Sequence, residues 1–215
     1  MPAIGGNGGP GERSGGSHRG GVIFLLNDLP FDPDDFPATV PNLSYRFENL
    51  AAIYLSPLDI VLSSMLNTTG YIRAIYVNFG PMGYYELNRN TKLDTQPAFA
   101  AQLRRLSQAG TMSSHDNNEV VWRKITDLSS LLSTLPENSR KIGCLHGAGS
   151  EEFRTYIDYI SAASDEQTYV FVVGQIGNQE IHAYIDDFVK VSNYDLEASH
   201  CLSRVILEME RKWRI

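Results

Sequence analysis

The stretch that most constrains this chain is Tyr169 to Gly174, Tyr-Val-Phe-Val-Val-Gly. It is apolar without alternation, rich in β-branched and aromatic residues, and closed by glycine. That pattern reads as a strand buried on both faces and ending in a tight turn. A polar loop follows, then a second short strand at Phe188 to Val191. Ser192-Asn193-Tyr194-Asp195 reads as a turn with helix-capping chemistry. Beyond it Leu202, Val205, Ile206, Met209 and Trp213 form one apolar stripe at helical spacing.

The upstream chain supplies the neighbours such a strand needs. Val22 to Leu26 is a second apolar run, and Asn27 to Pro41 reads as an acidic, Pro-rich surface loop. Asn49 to Leu66 has helical character interrupted by Ser56-Pro57, so a kink or two short helices are expected, ending at Asn67 to Gly70. Tyr71 to Val77 and Tyr84 to Leu87 flank the turn Gly80 to Gly83 as a hairpin. Pro97 to Leu106 reads as a helix with Phe99, Leu103 and Leu106 inward. Gly110 to Asn118 reads as a polar loop, and Val120 to Leu135 holds a strand or short helix before Pro136. Lys141 to Leu145 is a strand running into His146-Gly147-Ala148-Gly149. Glu151 to Ile160 is a helix facing the core with Phe153, Tyr156, Ile157 and Ile160. Strands alternating with helices predict an α/β domain with a mainly parallel sheet.

Residues Met1 to Gly21 hold nine of the 18 glycines and read as a flexible, solubilising tail, leaving 22–215 as one domain. Arg13, His18 and Arg19 within it could brush RNA. The net charge of −7 argues against a surface that grips nucleic acid everywhere, while leaving room for a local basic patch. No apolar run approaches the ~18 residues of a membrane span, and the N-terminus lacks the apolar core of a secretory signal. Cys144 and Cys201 make no metal motif; they read as small buried residues in a reducing compartment.

Val172-Val173-Gly174, followed by Val191-Ser192-Asn193-Tyr194-x-Leu196-x-Ala198, resembles the SPOUT-class (α/β-knot) methyltransferases that act on ring nitrogen 1 of a pseudouridine in small-subunit ribosomal RNA. Their "Phe-Val-Val-Gly" strand is followed by "Ile-Ser-Asn-Tyr-Pro-Leu-Ser-Ala" and a closing helix ending near a Trp, here Trp213. Upstream, Glu86-Leu87-Asn88-x-x-Thr91-Lys92-Leu93 is similar to "Glu-Val-Asn-Pro-x-Thr-Arg-Ile-Pro-Arg". Ser64-Met65-Leu66-Asn67-Thr68-Thr69-Gly70 is similar to "Ser-Pro-Leu-Asn-x-Ala-Gly". The resemblance implies a C-terminal trefoil knot over about 141–215, a homodimer, and S-adenosylmethionine lined by Leu145 to Gly149, Gly174 to Gln179 and Val191 to Leu196. Within those stretches it points to Leu145, Gly174, Gly177, Val191, Asn193, Tyr194 and Leu196.

The departures matter as much. The family's acceptor-site "Arg-Pro-Asp-x-x-His" falls, without a gap, on Leu50 to Leu55, where the Arg, Asp and His are all replaced. Asp59 is the weak stand-in, and reads equally as a surface aspartate. In the arginine-rich motif Lys92 and Thr95 replace the two arginines and Asp94 the proline, losing the bidentate fork that suits phosphate. Arg89, Lys92, Arg104 and Arg105 form the remaining candidate RNA patch, with Arg73 nearby; a solvated helix face is the other reading of Arg104 and Arg105. Gln179 stands where a second loop glycine is expected, with Gly177 the replacement. Ser-Asn-Tyr can cap a helix with or without cofactor, and His146 reads as a structural or exposed loop residue.

The first expectation is therefore a catalytically degenerate relative: a dimeric scaffold in small-subunit ribosome assembly, contacting rRNA or pre-ribosomal proteins and no membrane. The second is an active S-adenosylmethionine-dependent RNA methyltransferase of altered specificity. The third is an interaction domain outside ribosome biology. Nucleolus is the expected compartment, and a mitochondrial relative would keep the same fold.

Overall fold

The structure, a computed structural model, describes residues 20–27, 55–93, 96–114, 119–146, 151–161, 166–176 and 180–215. The expected tail up to Arg19, the acidic loop from Asp28 and the start of the Asn49–Leu66 segment lie outside them.

The central apolar run is strand β8, Thr168–Gly174, buried along its length until Gly174. It lies between β1 (Gly21–Asn27) and β6 (Ser139–His146), parallel to both. Beyond β6 come β9 (Asp187–Ser192) and the two-residue β7 (Glu151–Glu152), also parallel. On the other side β1 pairs in parallel with β2 (Ile72–Asn78). The direction then reverses: β3 (Tyr84–Leu87), β5 (Val120–Ile125) and β4 (Thr111–Ser113) pair antiparallel. The nine described strands run in the order β4-β5-β3-β2-β1-β8-β6-β9-β7. Five of the eight pairings are parallel, so the sheet is the mainly parallel one expected.

Strands without alternation need cover on both faces, and the two cores supply it. On one face Phe24, Leu26, Ile75, Val77, Phe171 and Val173 pack against helices α1 (55–63), α2 (Met65–Thr68), α3 (Gln96–Ala109), α5 (Phe153–Ser161) and α6 (Ala198–Trp213). On the other, Ile23, Leu25, Val170 and Val172 pack against α4 (Leu128–Thr134) and Ile181 of the 3-10 turn Glu180–Tyr184. The α6 stripe buries Leu202, Val205, Ile206 and Met209. Trp213 completes it by stacking on Tyr71, with ring centroids 4.2 Å apart.

Five local expectations are corrected. Asn27 is not in a loop; it ends β1 and is fully buried. Gly21, assigned to the tail, opens that same strand. The helical segment breaks at Ser64 rather than at Pro57. Ser64 Oγ donates to the Val61 carbonyl and accepts from the Asn67 amide, starting α2. Thr111–Ser113, read as loop, is an edge strand. Glu151 and Glu152, read as helix, form β7 before α5 begins at Phe153.

Candidate functional site

Strands β1, β8, β6 and β9 are adjacent and parallel, so their carboxyl ends open on one edge of the sheet. In open α/β sheets that edge is where ligands bind. Leu145 lies near the end of β6, Gly174 at the end of β8 and Val191 near the end of β9. The structure thus brings these three expected residues to one edge. Asn193, Tyr194 and Leu196 follow in the β9–α6 connection. Gly177 and residues 147–150 lie outside the described set, as does the side chain of His146.

The side chains differ in exposure. Val191 is buried, Leu145 and Leu196 are half-buried, and Asn193 and Tyr194 are exposed, Tyr194 to 79%. The Tyr194 amide donates to Ser192 Oγ at 3.0 Å, which closes the turn. The expected capping of α6 by this turn is not what forms: Glu197 is the N-cap residue and makes no side-chain cap bond. The exit of β9 is instead tied to α6 by Arg204, whose Nη1 donates to the Val191 carbonyl at 3.0 Å.

Sequence reasoning missed the amide pair that holds this edge. Asn27 Nδ2 donates to the Gln175 carbonyl, and Asn27 Oδ1 accepts from Asn78 Nδ2 at 3.0 Å. Asn78 Oδ1 in turn accepts from the Gly80 amide at 3.0 Å. The chain of bonds links the loops leaving β8 and β2 through β1. A buried amide is held only where its bonds are made, so an Asn closing an apolar run was the available signal. Gly174 sits against this pair with φ +117°, and a side chain there would run into the Asn27 carbonyl.

The other expected residues lie elsewhere. Asp59 is exposed on α1, where its carbonyl accepts from Ser63 Oγ at 2.6 Å. Leu55, at the family's histidine position, packs against the core. Arg89 and Arg73 line one cleft with Arg123, while Lys92, Arg104 and Arg105 do not line it. Arg89 Nη1 donates to the Ile72 carbonyl at 3.1 Å, and Arg105 and Lys92 are exposed. Cys144 and Cys201 are buried and in contact; that hydrogen bond and burial push the Cys144 thiol up, away from nucleophilic use.

One charged cluster sits at the opposite, amino-terminal end of β6 and β9. Asp187 accepts from Arg140 through both carboxylate oxygens and from the Tyr156 hydroxyl at 2.9 Å. Arg140 holds the Asp187 carboxyl below the usual carboxylate range, with help from Tyr156. Its distance from the open edge along the strands marks it as a clasp. Among the described residues no cluster of His, Cys, Asp and Glu is placed to hold a metal, and no helix is long and apolar enough to cross a membrane.

The profile of the EMG1/NEP1 methyltransferases matches residues 53–210. No curated protein matches the chain by sequence. Among solved structures, Archaeoglobus fulgidus Nep1 bound to S-adenosylhomocysteine aligns over 92% of this chain and 100% of that one, at 15% identity and a TM-score of 0.59. The SpoU methyltransferase AviRb from Streptomyces viridochromogenes aligns over 91% of this chain and 60% of that one, at 10% identity and a TM-score of 0.37. The Nep1 likeness speaks for the fold, and the profile, spanning well over half the chain, speaks for kinship. The chain belongs to the EMG1/NEP1 methyltransferase family.

Proposed function

We propose that this chain keeps its family's cofactor edge, has lost the acceptor-site acid and base, and works as a dimeric scaffold on rRNA and proteins of the assembling small ribosomal subunit. The observation that carries the reading is α1. Leu55 stands in the histidine position and is half-buried against the core, while Asp59, the only acid of 55–63, faces solvent. A methyl transfer to a ring nitrogen needs a group within hydrogen-bond reach of that nitrogen's proton; Leu55 carries none, and Ala52 stands where the family's motif has its aspartate.

The edge itself suits a cofactor. Gly174 lets the end of β8 turn closely against the Asn27 carbonyl, Leu145 and Leu196 are half-buried apolar flanks, and the Asn27–Asn78 pair fixes the loop after β8. S-adenosylmethionine would supply an electrophilic methyl group there. The exposure of Asn193 and Tyr194 beside the edge supports a ligand-facing role for them. We further infer that α6 threads a loop as in knotted relatives, and that the acidic surface docks on basic ribosomal or assembly proteins in the nucleolus or, for an organelle form, the mitochondrion.

Calorimetric titration with S-adenosylmethionine and S-adenosylhomocysteine tests the edge; binding near micromolar is expected. Mass spectrometry of rRNA from cells with and without the protein tests the scaffold reading, for which methylation is unchanged and the protein co-sediments with small-subunit precursors. The intact amide pair favours one alternative, an active enzyme of altered acceptor site. A methylated nucleotide that disappears with the protein would establish it and end the scaffold reading.

A further inference from the structure

The cleft beside β2, β3 and β5 has a volume of about 430 Å³ and is walled by Arg73, Arg89 and Arg123 together with Glu86 and Glu119. Three guanidinium groups around one hollow stand out on a chain of net charge −7. The strands bring them together from positions far apart in sequence. Arg73 is the second residue of β2, Arg89 follows β3, and Arg123 lies on β5 directly across from Glu86.

Each guanidinium is positioned. Arg73 lies over Gly21, where even a Cβ would come within 2.6 Å of its Cγ and Nε, and its Nη2 reaches the Gly20 carbonyl at 3.4 Å. The Ile72 carbonyl fixes Arg89 by one of its five N–H donors. Arg123 is gripped by Glu86 through Nε and Nη2, yet 65% of its side chain is exposed. A planar fork fixed in the wall of a hollow is the geometry that recognises phosphate. The hollow matches one small ligand and is far too small for a duplex. Glu86 and Glu119 repel a continuous row of phosphates, so they restrict the cleft to one.

We infer that this cleft takes a single nucleotide of unpaired RNA, its phosphate held by Arg73 and Arg89, with Arg123 moving from Glu86 to the same phosphate. The inference rests on the RNA-directed reading above and adds to it a site separate from Lys92, Arg104 and Arg105.

The test is fluorescence anisotropy of the full chain with a labelled ten-nucleotide oligouridylate, repeated across potassium chloride concentrations. Arg73→Gln and Arg123→Gln are each expected to weaken binding about five- to tenfold and to flatten the log–log salt slope by about 0.7 for each phosphate no longer neutralised. Glu119→Lys is expected to tighten binding and steepen that slope, a gain that a misfolded variant would not give. A 4-thiouridine version should cross-link to the peptide spanning residues 119–123. If only Lys92→Gln, Arg104→Gln and Arg105→Gln weaken binding, the cleft is overturned and the RNA reading stands. Preference for a duplex over the single strand also overturns the cleft. Failure to bind any RNA removes both.

Discussion

Replacing Gly174 by alanine tests whether β1 and β8 meet as closely as described. Gly174 has φ +117°, a conformation L-residues rarely adopt, and its Cβ would fall onto the Asn27 carbonyl oxygen, 3.1 Å from the carbonyl carbon. The backbone conformation alone costs about 1–2 kcal/mol for a residue with a side chain. Relieving the collision means moving the end of β1, and with it the buried Asn27 amide that bonds to Gln175 and Asn78. Leaving one buried polar group unsatisfied costs a further 1–3 kcal/mol, roughly. The expected total is about 4 kcal/mol. With a urea slope of about 2 kcal/mol/M, the midpoint should fall by about 2 M. Fluorescence of the buried Trp122 and half-buried Trp213 reports the transition. Gly83→Ala is the matched control: φ is also positive, at +89°, but no atom lies within 4 Å of its Cβ. It should lose only the conformational part, about 0.5–1 M by the same slope. Midpoints agreeing within about 0.3 M, on the same slope, would refute the collision.

Other perturbations probe the rest of the frame. Asp187→Asn should destabilise by about 1–2 kcal/mol at pH 7, a modest loss because solvent reaches both Asp187 and Arg140. The Asp187 carboxyl is depressed by Arg140, so its contribution is full above the unfolded value of about 3.9 and is lost as pH falls through the lower folded value. Wild type should therefore lose melting temperature faster than Asp187→Asn below about pH 4, and parallel curves would exclude the clasp. Trp213→Ala removes the stack on Tyr71 and should cost about 2 kcal/mol, with faster tryptic cleavage at Arg211 and Lys212. Gly143→Ala places a Cβ 2.8 Å from Phe188 Cδ1 and 3.0 Å from Ile185 Cδ1; these partly buried side chains should yield for about 1–2 kcal/mol, measured by urea unfolding.

What could be read from sequence was what periodicity encodes. β8 and the α6 stripe are legible because burial leaves an unbroken or helical apolar pattern. Pro57 misled because it sits inside the described span of α1 without ending it; Ser64 ends the helix through bonds that no spacing announces. β4 was unreadable because an edge strand is held by backbone pairing to β5 and needs no apolar face. The arginine cleft was half visible. Arg73 and Arg89 stand out as candidates in the sequence, but Arg123 joins them only through the antiparallel register of β3 with β5. The amide pair was hidden inside what reads as the start of a polar loop.

The placement of β1 has a consequence for how the protein is made. One flank of β1 is met by β2, but the other waits for β8, and Asn27 bonds to Gln175 across 148 residues. A ribosome must therefore continue as far as β8 before that flank is covered. Through that interval the nascent chain carries a seven-residue apolar strand with an unpaired side, the kind of surface on which chaperones act and aggregates seed. Any messenger that stops short of Gly174 yields a polypeptide in which that side is never closed.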